Sequence, residues 1–168
     1  MQSLPGWLVV TWLPVAVCLL GVGFESTDTF SSAHTAGWLR HLAEAVFGPI
    51  HQIAWSRANF AVRKTGHFLG YGCMGLAWLR AWLLTWPGVL RARGARVWRG
   101  SCVVMALCCT LLCATVDELH QTFIPSRTGL VSDAWLDTAG ASVLILLLAG
   151  LSWRRSALAP SAAGQTYG

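Results

Sequence analysis

The residues best suited to chemistry in this chain form two polar clusters within a very apolar sequence. In the first cluster, Arg63, His67 and Tyr71 are spaced i, i+4 and i+8, and Lys64 precedes His67 by three positions. Side chains at this spacing lie on one face of a helix. An imidazole, a phenol and basic groups on one face can hold an anion or transfer a proton.

The second cluster is mainly acidic and follows later in the chain. It consists of Asp117, Glu118, Gln121, Arg127, Asp133 and Asp137. The first three end one predicted helix and the two last carboxylates begin the next. The segment 125–129, with its proline and glycine, predicts a tight turn that returns Arg127 toward the same end. Together the two clusters supply the predicted ligand-binding residues.

These residue types permit two kinds of site. The basic side chains would hold a phosphate or carboxylate, and arginine can do so through two parallel hydrogen bonds. His67 with Asp117 or Glu118 supplies the catalytic candidates for acid–base chemistry, and the same groups could instead hold a divalent metal. The clusters contain no serine, cysteine or second histidine placed as a nucleophile or further ligand. We therefore favour binding over catalysis and expect neither a metal nor a cofactor.

A structural interpretation of the same residues stays open. Ionisable groups inside a membrane commonly pair with one another. Pairs such as Asp117 with Arg63 would then form a network that fixes one end of a helix bundle.

The composition places the chain in the membrane class. It has 168 residues, of which 55% are hydrophobic and 11% charged, against about 25% charged in ordinary soluble domains. Four apolar stretches approach the roughly 20 residues that cross a bilayer, at 7–24, 66–86, 98–116 and 132–151. We predict an all-α, four-transmembrane-helix bundle as one domain, 1–155, followed by a disordered tail, 156–168. Pro14 falls inside the first span, where a neighbour must satisfy the carbonyl that it frees.

A short amphipathic helix is predicted between helices one and two. Apolar residues recur there at helical spacing, and Gly48 and Pro49 end the pattern. We expect this helix to lie on the outer membrane face or to cap the bundle.

Small residues predict where the helices touch. Gly66, Gly70, Cys73 and Ala77 form one stripe in the second span, and such stripes allow helices to approach closely.

The distribution of charge predicts the topology. Arginines at 91, 93, 96 and 99 crowd one short loop, and Arg154 and Arg155 follow the last span. By the positive-inside rule both termini are cytoplasmic, and the polar ends of helices two, three and four meet on the outer side. The net charge of +5 therefore mainly reflects the membrane topology. No nucleic-acid partner is expected.

The two clusters together resemble the VanZ-like family of small membrane proteins. The matching pattern is R-K-x-x-H-F-x-x-Y, followed by D-E-x-x-Q-x-F-x-P-x-R-x-G-x-x-x-D-x-x-x-[N/D]-x-x-G. The resemblance covers nearly the whole chain, from helix one to helix four. Where the family often has Asn, this chain has Asp137. The resemblance implies a bacterial inner-membrane protein of the cell envelope, and the founding member is linked to low-level teicoplanin resistance.

Three functions follow as hypotheses. In the first, the outward-facing site binds the headgroup of a membrane lipid or of a lipid-linked envelope precursor, with a bearing on teicoplanin-type glycopeptide sensitivity. In the second, an intramembrane enzyme acts on such a headgroup. In the third, the bundle is a structural partner of another membrane protein or of a second copy of itself.

Overall fold

The computed structural model describes residues 6–86 and 92–158, which are predominantly helical. Their elements are α1 (Gly6–Glu25), a 3-10 turn (Asp28–Phe30), α2 (Ser32–Phe47), α3 (Gln52–Thr85), α4 (Ala95–Gln121) and α5 (Val131–Leu158). No strand occurs in these two ranges, and the predicted all-α class is confirmed.

Three of these helices are long and apolar enough to cross a membrane. The spans are Gly6–Glu25, Ala95–Gln121 and Val131–Leu151, which contain three of the four predicted stretches. The predicted stretch 66–86 lies almost entirely within α3, which does not reach the same hydropathy. Arg80, together with glycines and tryptophans, lowers its mean hydropathy. The chain is therefore a helical membrane protein with at least three helices of spanning character.

The boundaries of two predicted segments differ from the observed helices. α3 begins at Gln52 rather than at Gly66 and has 34 residues, which gives it a length of about 51 Å. α5 continues to Leu158, past the start of the predicted tail at residue 156. Residues 159–168 lie outside the described residues, so most of the predicted tail is outside them too.

α3 is the central helix of the bundle. It packs against α1, α4 and α5, and all of its buried residues, from Tyr71 to Ala81, fall in its second half. Its first half lines an apolar groove together with α2. α2 occupies the segment where a short helix was predicted. We call the end of the bundle near Glu25, Lys64, Gln121 and Val131 the polar end.

α3 and α5 approach each other closely at glycines, which have no side chain to keep the backbones apart. A Cβ atom built on Gly140 would lie 2.1 Å from the backbone oxygen of Phe68, and one on Gly75 would lie 2.5 Å from the Cβ of Ala141. The predicted stripe is thus only partly right. A Cβ atom on Gly66 or Gly70 would meet nothing within 4 Å, whereas Ala77 is buried.

α1 is fastened to α3 at the end opposite the polar end. The ring of Trp12 stands edge-on to those of Trp78 and Trp82, with centroids 5.8 and 5.4 Å away. Pro14 has no N–H, so the carbonyl of Val10 loses its helical donor. The guanidinium of Arg80 replaces it, since one Nη atom donates to the oxygens of Val10 at 3.3 Å and Thr11 at 2.9 Å. Arg80 is thus the neighbour that satisfies the freed carbonyl, as the sequence led us to expect.

Arg80 and Pro14 should therefore be energetically coupled. In Pro14→Ala the helix supplies its own donor to Val10, so Arg80→Leu should destabilise that variant less than it destabilises the wild type. We expect a coupling of about 1 kcal/mol, the value of one hydrogen bond, from the unfolding free energies of the four proteins in a double-mutant cycle. Additive effects would show that Arg80 does not replace the missing donor.

Candidate functional site

The polar end gathers the predicted site residues from three helices and one turn. The middle of α3 carries the first polar cluster, α4 ends with Asp117, Glu118 and Gln121, and the first turns of α5 carry Asp133 and Asp137. The segment after α1 closes the fourth side. The predicted residues do not form one continuous network, and they separate into four arrangements.

The first arrangement is a cavity of about 210 Å³ rich in basic side chains. Its polar lining includes Arg63, Lys64, His67, Gln121, Ser126, Arg127 and Asp133. Three of these side chains are permanently basic and one is a carboxylate. A cavity with this excess of positive charge favours an anion.

The two arginines of this cavity are held by backbone oxygens rather than by carboxylates. Arg127 donates to the carbonyls of Glu25 and Thr27, the latter at 2.9 Å, and Arg63 donates to the carbonyl of Phe30 at 3.3 Å. Among the described residues neither arginine is in an ion pair. Burial, together with the nearby Arg63, lowers the pKa of Arg127 from its ordinary value. An anion between the two guanidinium groups would relieve that repulsion.

Lys64 and Asp133 form the second arrangement, an ion pair between α3 and α5. The Nζ and Oδ2 atoms are 2.5 Å apart, and both side chains are about one quarter exposed. Asp133 also lies in the first turn of α5, where the helix dipole favours a carboxylate. This pair is placed at the edge of the cavity, so an incoming anion would compete with Asp133 for Lys64.

Asp117 is the centre of the third arrangement and has neutral partners. It is buried, and its Oδ2 accepts hydrogen bonds from the hydroxyl of Tyr71 and the amide of Gln121, each at 3.0 Å. Its Oδ1 accepts from the hydroxyl of Ser26. The predicted pairing of Asp117 with Arg63 is therefore wrong, because Arg63 is engaged by Phe30. Asp117 instead joins α3, α4 and the segment after α1.

The fourth arrangement pairs His67 with Asp137. The Nδ1 of His67 lies 3.6 Å from the Oδ2 of Asp137, whose side chain is completely buried. Within the part of the chain that the structure describes, neither carboxylate oxygen of Asp137 has a hydrogen-bond partner. We had expected Asp117 or Glu118 next to His67. The acid that lies there is Asp137 instead. His67 connects this buried acid to the cavity that it lines.

Glu118 is separated from the cavity. Its Oε2 accepts a hydrogen bond from the backbone N–H of Leu130 at 2.8 Å, and it borders a different groove on the α4–α5 side. The turn is tight there, since a Cβ atom on Gly129 would lie 2.2 Å from the backbone oxygen of Glu118. The geometry gives Glu118 the role of holding the α4–α5 turn at the start of α5.

Sequence reasoning missed the segment after α1 as part of the site. Ser26 binds Asp117, Asp28 accepts from Ser126, and the carbonyls of residues 25, 27 and 30 hold the two arginines. The available signal was the polar run Ser26-Thr27-Asp28 directly after an apolar helix. In the described ranges, no three His, Cys, Asp or Glu side chains are grouped to hold a metal ion.

The fold and the polar end define a helical membrane protein with a basic cavity at one end of its bundle. The VanZ/LLP1 family model matches residues 7–152, and the chain belongs to that family. Neither the curated proteins nor the solved structures gave a match.

Proposed function

We propose that this VanZ/LLP1 protein binds the anionic headgroup of a membrane lipid or of a lipid-linked envelope precursor. The observation that carries the proposal is the basic cavity, in which Arg63, Lys64 and Arg127 face a single carboxylate. The arginines are already oriented by backbone carbonyls, so little freedom is lost when an anion enters. A phosphate between them would receive charge-assisted hydrogen bonds.

We also propose that the chain crosses the membrane four times. The second half of α3 would be the fourth pass, in addition to α1, α4 and α5. This half packs against the three apolar helices, so much of its surface faces protein and needs no contact with lipid. Arg80 is near its end opposite the polar end, where a long side chain can extend to the interface. A four-pass bundle brings both termini to the same side.

We place the protein in the bacterial cytoplasmic membrane with the polar end outside. The arginines at positions 91, 93, 96 and 99, which precede and begin α4, then face the cytoplasm, as the positive-inside rule requires. In this orientation the cavity opens at the outer surface, where envelope precursors are used. We extend the proposal to teicoplanin-type sensitivity, because a protein that binds such a precursor would act in the compartment where a glycopeptide acts.

The test is native mass spectrometry of gently purified protein. We expect a phosphate-containing lipid adduct on the wild type, reduced about tenfold or more in Arg127→Ala and Lys64→Ala, since each substitution removes a charge-assisted hydrogen bond. Arg57→Ala is the matched control, because Arg57 is an exposed arginine of α3 outside the cavity lining. Equal adduct levels in all four proteins would overturn the proposal.

Catalysis on the bound headgroup is a second candidate, favoured by the His67–Asp137 arrangement. A buried carboxylate beside a cavity-lining histidine can orient the imidazole for proton transfer. The same spectra separate the two functions. An enzyme would carry cleaved headgroup in the wild type and intact lipid in His67→Gln, whereas a binding protein would carry the same intact adduct in both.

A further inference from the structure

We infer that the ligand is an amphiphile with one apolar chain in a groove between α2 and the first half of α3. This inference rests on the proposed function, because the phosphate of the same molecule lies in the basic cavity. The shared chemistry is a phosphate ester linked to a long apolar chain, directly in a polyisoprenyl phosphate and through acylated glycerol in a glycerophospholipid. We refer to the groove as the α2–α3 groove.

The α2–α3 groove is a large apolar surface outside the bundle core. It has a volume of about 350 Å³, and its lining includes Leu42, Val46, Phe47 and Trp55. Asn59 is the one amide side chain of this lining, which contains no charged residue. Phe47 is 81% exposed and Val46 70%. On a segment that projects into water, contiguous apolar surface of this kind marks a site that contacts a membrane, a protein or an apolar ligand.

A second cavity joins the groove to the basic cavity. It has a volume of about 240 Å³ and shares Arg63, His67 and Arg127 with the basic cavity. It shares Leu39 and Val62 with the α2–α3 groove. The second cavity is therefore adjacent to both other spaces, and the lining changes from basic at Arg63 and Arg127 to apolar in the α2–α3 groove. That order matches a phosphate followed by a hydrocarbon chain.

Polar contacts connect the two walls of the groove at its tip. Arg40 of α2 bonds to Glu44 at 2.8 Å and to the backbone oxygen of Ile50 at 2.8 Å, and it also donates to the side chain of Gln52 at the start of α3. These contacts tie α2 to the start of α3 without any bound chain. Trp55 and Lys64 are nine residues apart on α3, or about 14 Å, so an extended chain must run along the helix from the phosphate to the tip.

The test is photocrosslinking with an alkyl phosphate that carries a diazirine at the end of its chain. The probe is added to the full-length protein in non-ionic detergent, and labelled peptides are identified by mass spectrometry. We expect label in residues 38–47 of α2 and 52–62 of α3. Label confined to the lipid-facing sides of α1, α4 and α5 would overturn the inference, because the chain would then stay in the apolar surroundings of the bundle.

Two substitutions on α3 provide the matched comparison. Ala58→Trp fills the groove, whereas Ala61→Trp adds the same indole at an exposed position outside its lining. We expect Ala58→Trp to reduce groove labelling by at least about fourfold, the affinity of one buried methylene, and Ala61→Trp to leave it unchanged. Equal labelling in both variants would contradict the assignment of the chain to the groove.

A further variant connects the chain to the headgroup. Arg127→Ala should also abolish groove labelling, and persistence of the label would overturn the inference, because the groove would then take apolar molecules independently. If the lipid adduct of the wild type is real but the label falls elsewhere, the headgroup proposal stands and the groove assignment fails. A diacyl glycerophosphate probe and an isoprenyl phosphate probe, compared under the same conditions, identify which source is preferred.

Discussion

Gly140→Val is expected to lower the free energy of unfolding by about 3 kcal/mol and to abolish the lipid adduct. The valine Cβ would lie 2.1 Å from the oxygen and 2.9 Å from the carbon of the Phe68 carbonyl. These are backbone atoms of a packed helix, so relief requires α3 and α5 to separate, and overpacking of this kind costs up to about 3 kcal/mol. Separation would also break the contacts of Lys64 with Asp133 and of His67 with Asp137.

Gly150→Val is the matched control for this prediction. Gly150 belongs to the same helix, and a Cβ atom there would meet nothing within 4 Å. Both variants carry the same intrinsic effect of valine on a helix, so their difference isolates the contact with Phe68. Thermal unfolding of the two purified proteins gives the comparison, and similar melting temperatures would show that α3 and α5 are not in backbone contact.

Asp117→Ala is expected to destabilise the protein by about 3 kcal/mol. The carboxylate accepts from Tyr71, Gln121 and Ser26, and each buried hydrogen bond contributes about 1 kcal/mol. Tyr71→Phe removes one donor and should cost about 1 kcal/mol. Asp117→Asn should be intermediate, because its amide retains one acceptor oxygen but turns an NH₂ group toward one of the donors.

Chemical unfolding of these variants in detergent measures the series. Asp28→Ala is the control, since Asp28 is an exposed carboxylate at the same end that also accepts from a serine, Ser126. We expect little change there. If Asp117→Ala proves no more destabilising than Tyr71→Phe, the carboxylate does not join the three segments.

Periodicity predicted which helices carry the site but not which acid faces His67. Asp117 and Glu118 are adjacent, so their side chains diverge by about 100° around α4. One of them faces Tyr71 and the other faces the turn before α5. Asp137 meets His67 because Gly140, one turn later on α5, touches the backbone at Phe68. The shared face of Asp137 and Gly140 was visible in the sequence, but the rotation of α5 that aims this face at α3 depends on packing.

The start of α3 was beyond prediction for a different reason. The charged residues Arg63 and Lys64 interrupt the apolar pattern, so hydropathy places the start of the predicted span near Gly66. Helix formation needs only satisfied backbone groups and residues of good propensity, and alanines, arginines and glutamine in 52–65 provide these.

Two sets of small residues on α3 also satisfied the helix-contact spacing. The sequence alone could not determine that Gly72 and Gly75 face α5 while Gly66 and Gly70 are exposed.

The bond from Arg80 to Val10 has a consequence for synthesis of the protein. The two residues are 70 positions apart, so α1 leaves the ribosome with a carbonyl whose donor has not yet been made. α3 then emerges, but its close glycine contacts need α5, which is translated later. The basic cavity is consequently completed only after the start of α5 has been translated. A nascent chain arrested before α5 presents Lys64 and His67 to the insertion machinery without the two aspartates that accompany them in the finished bundle.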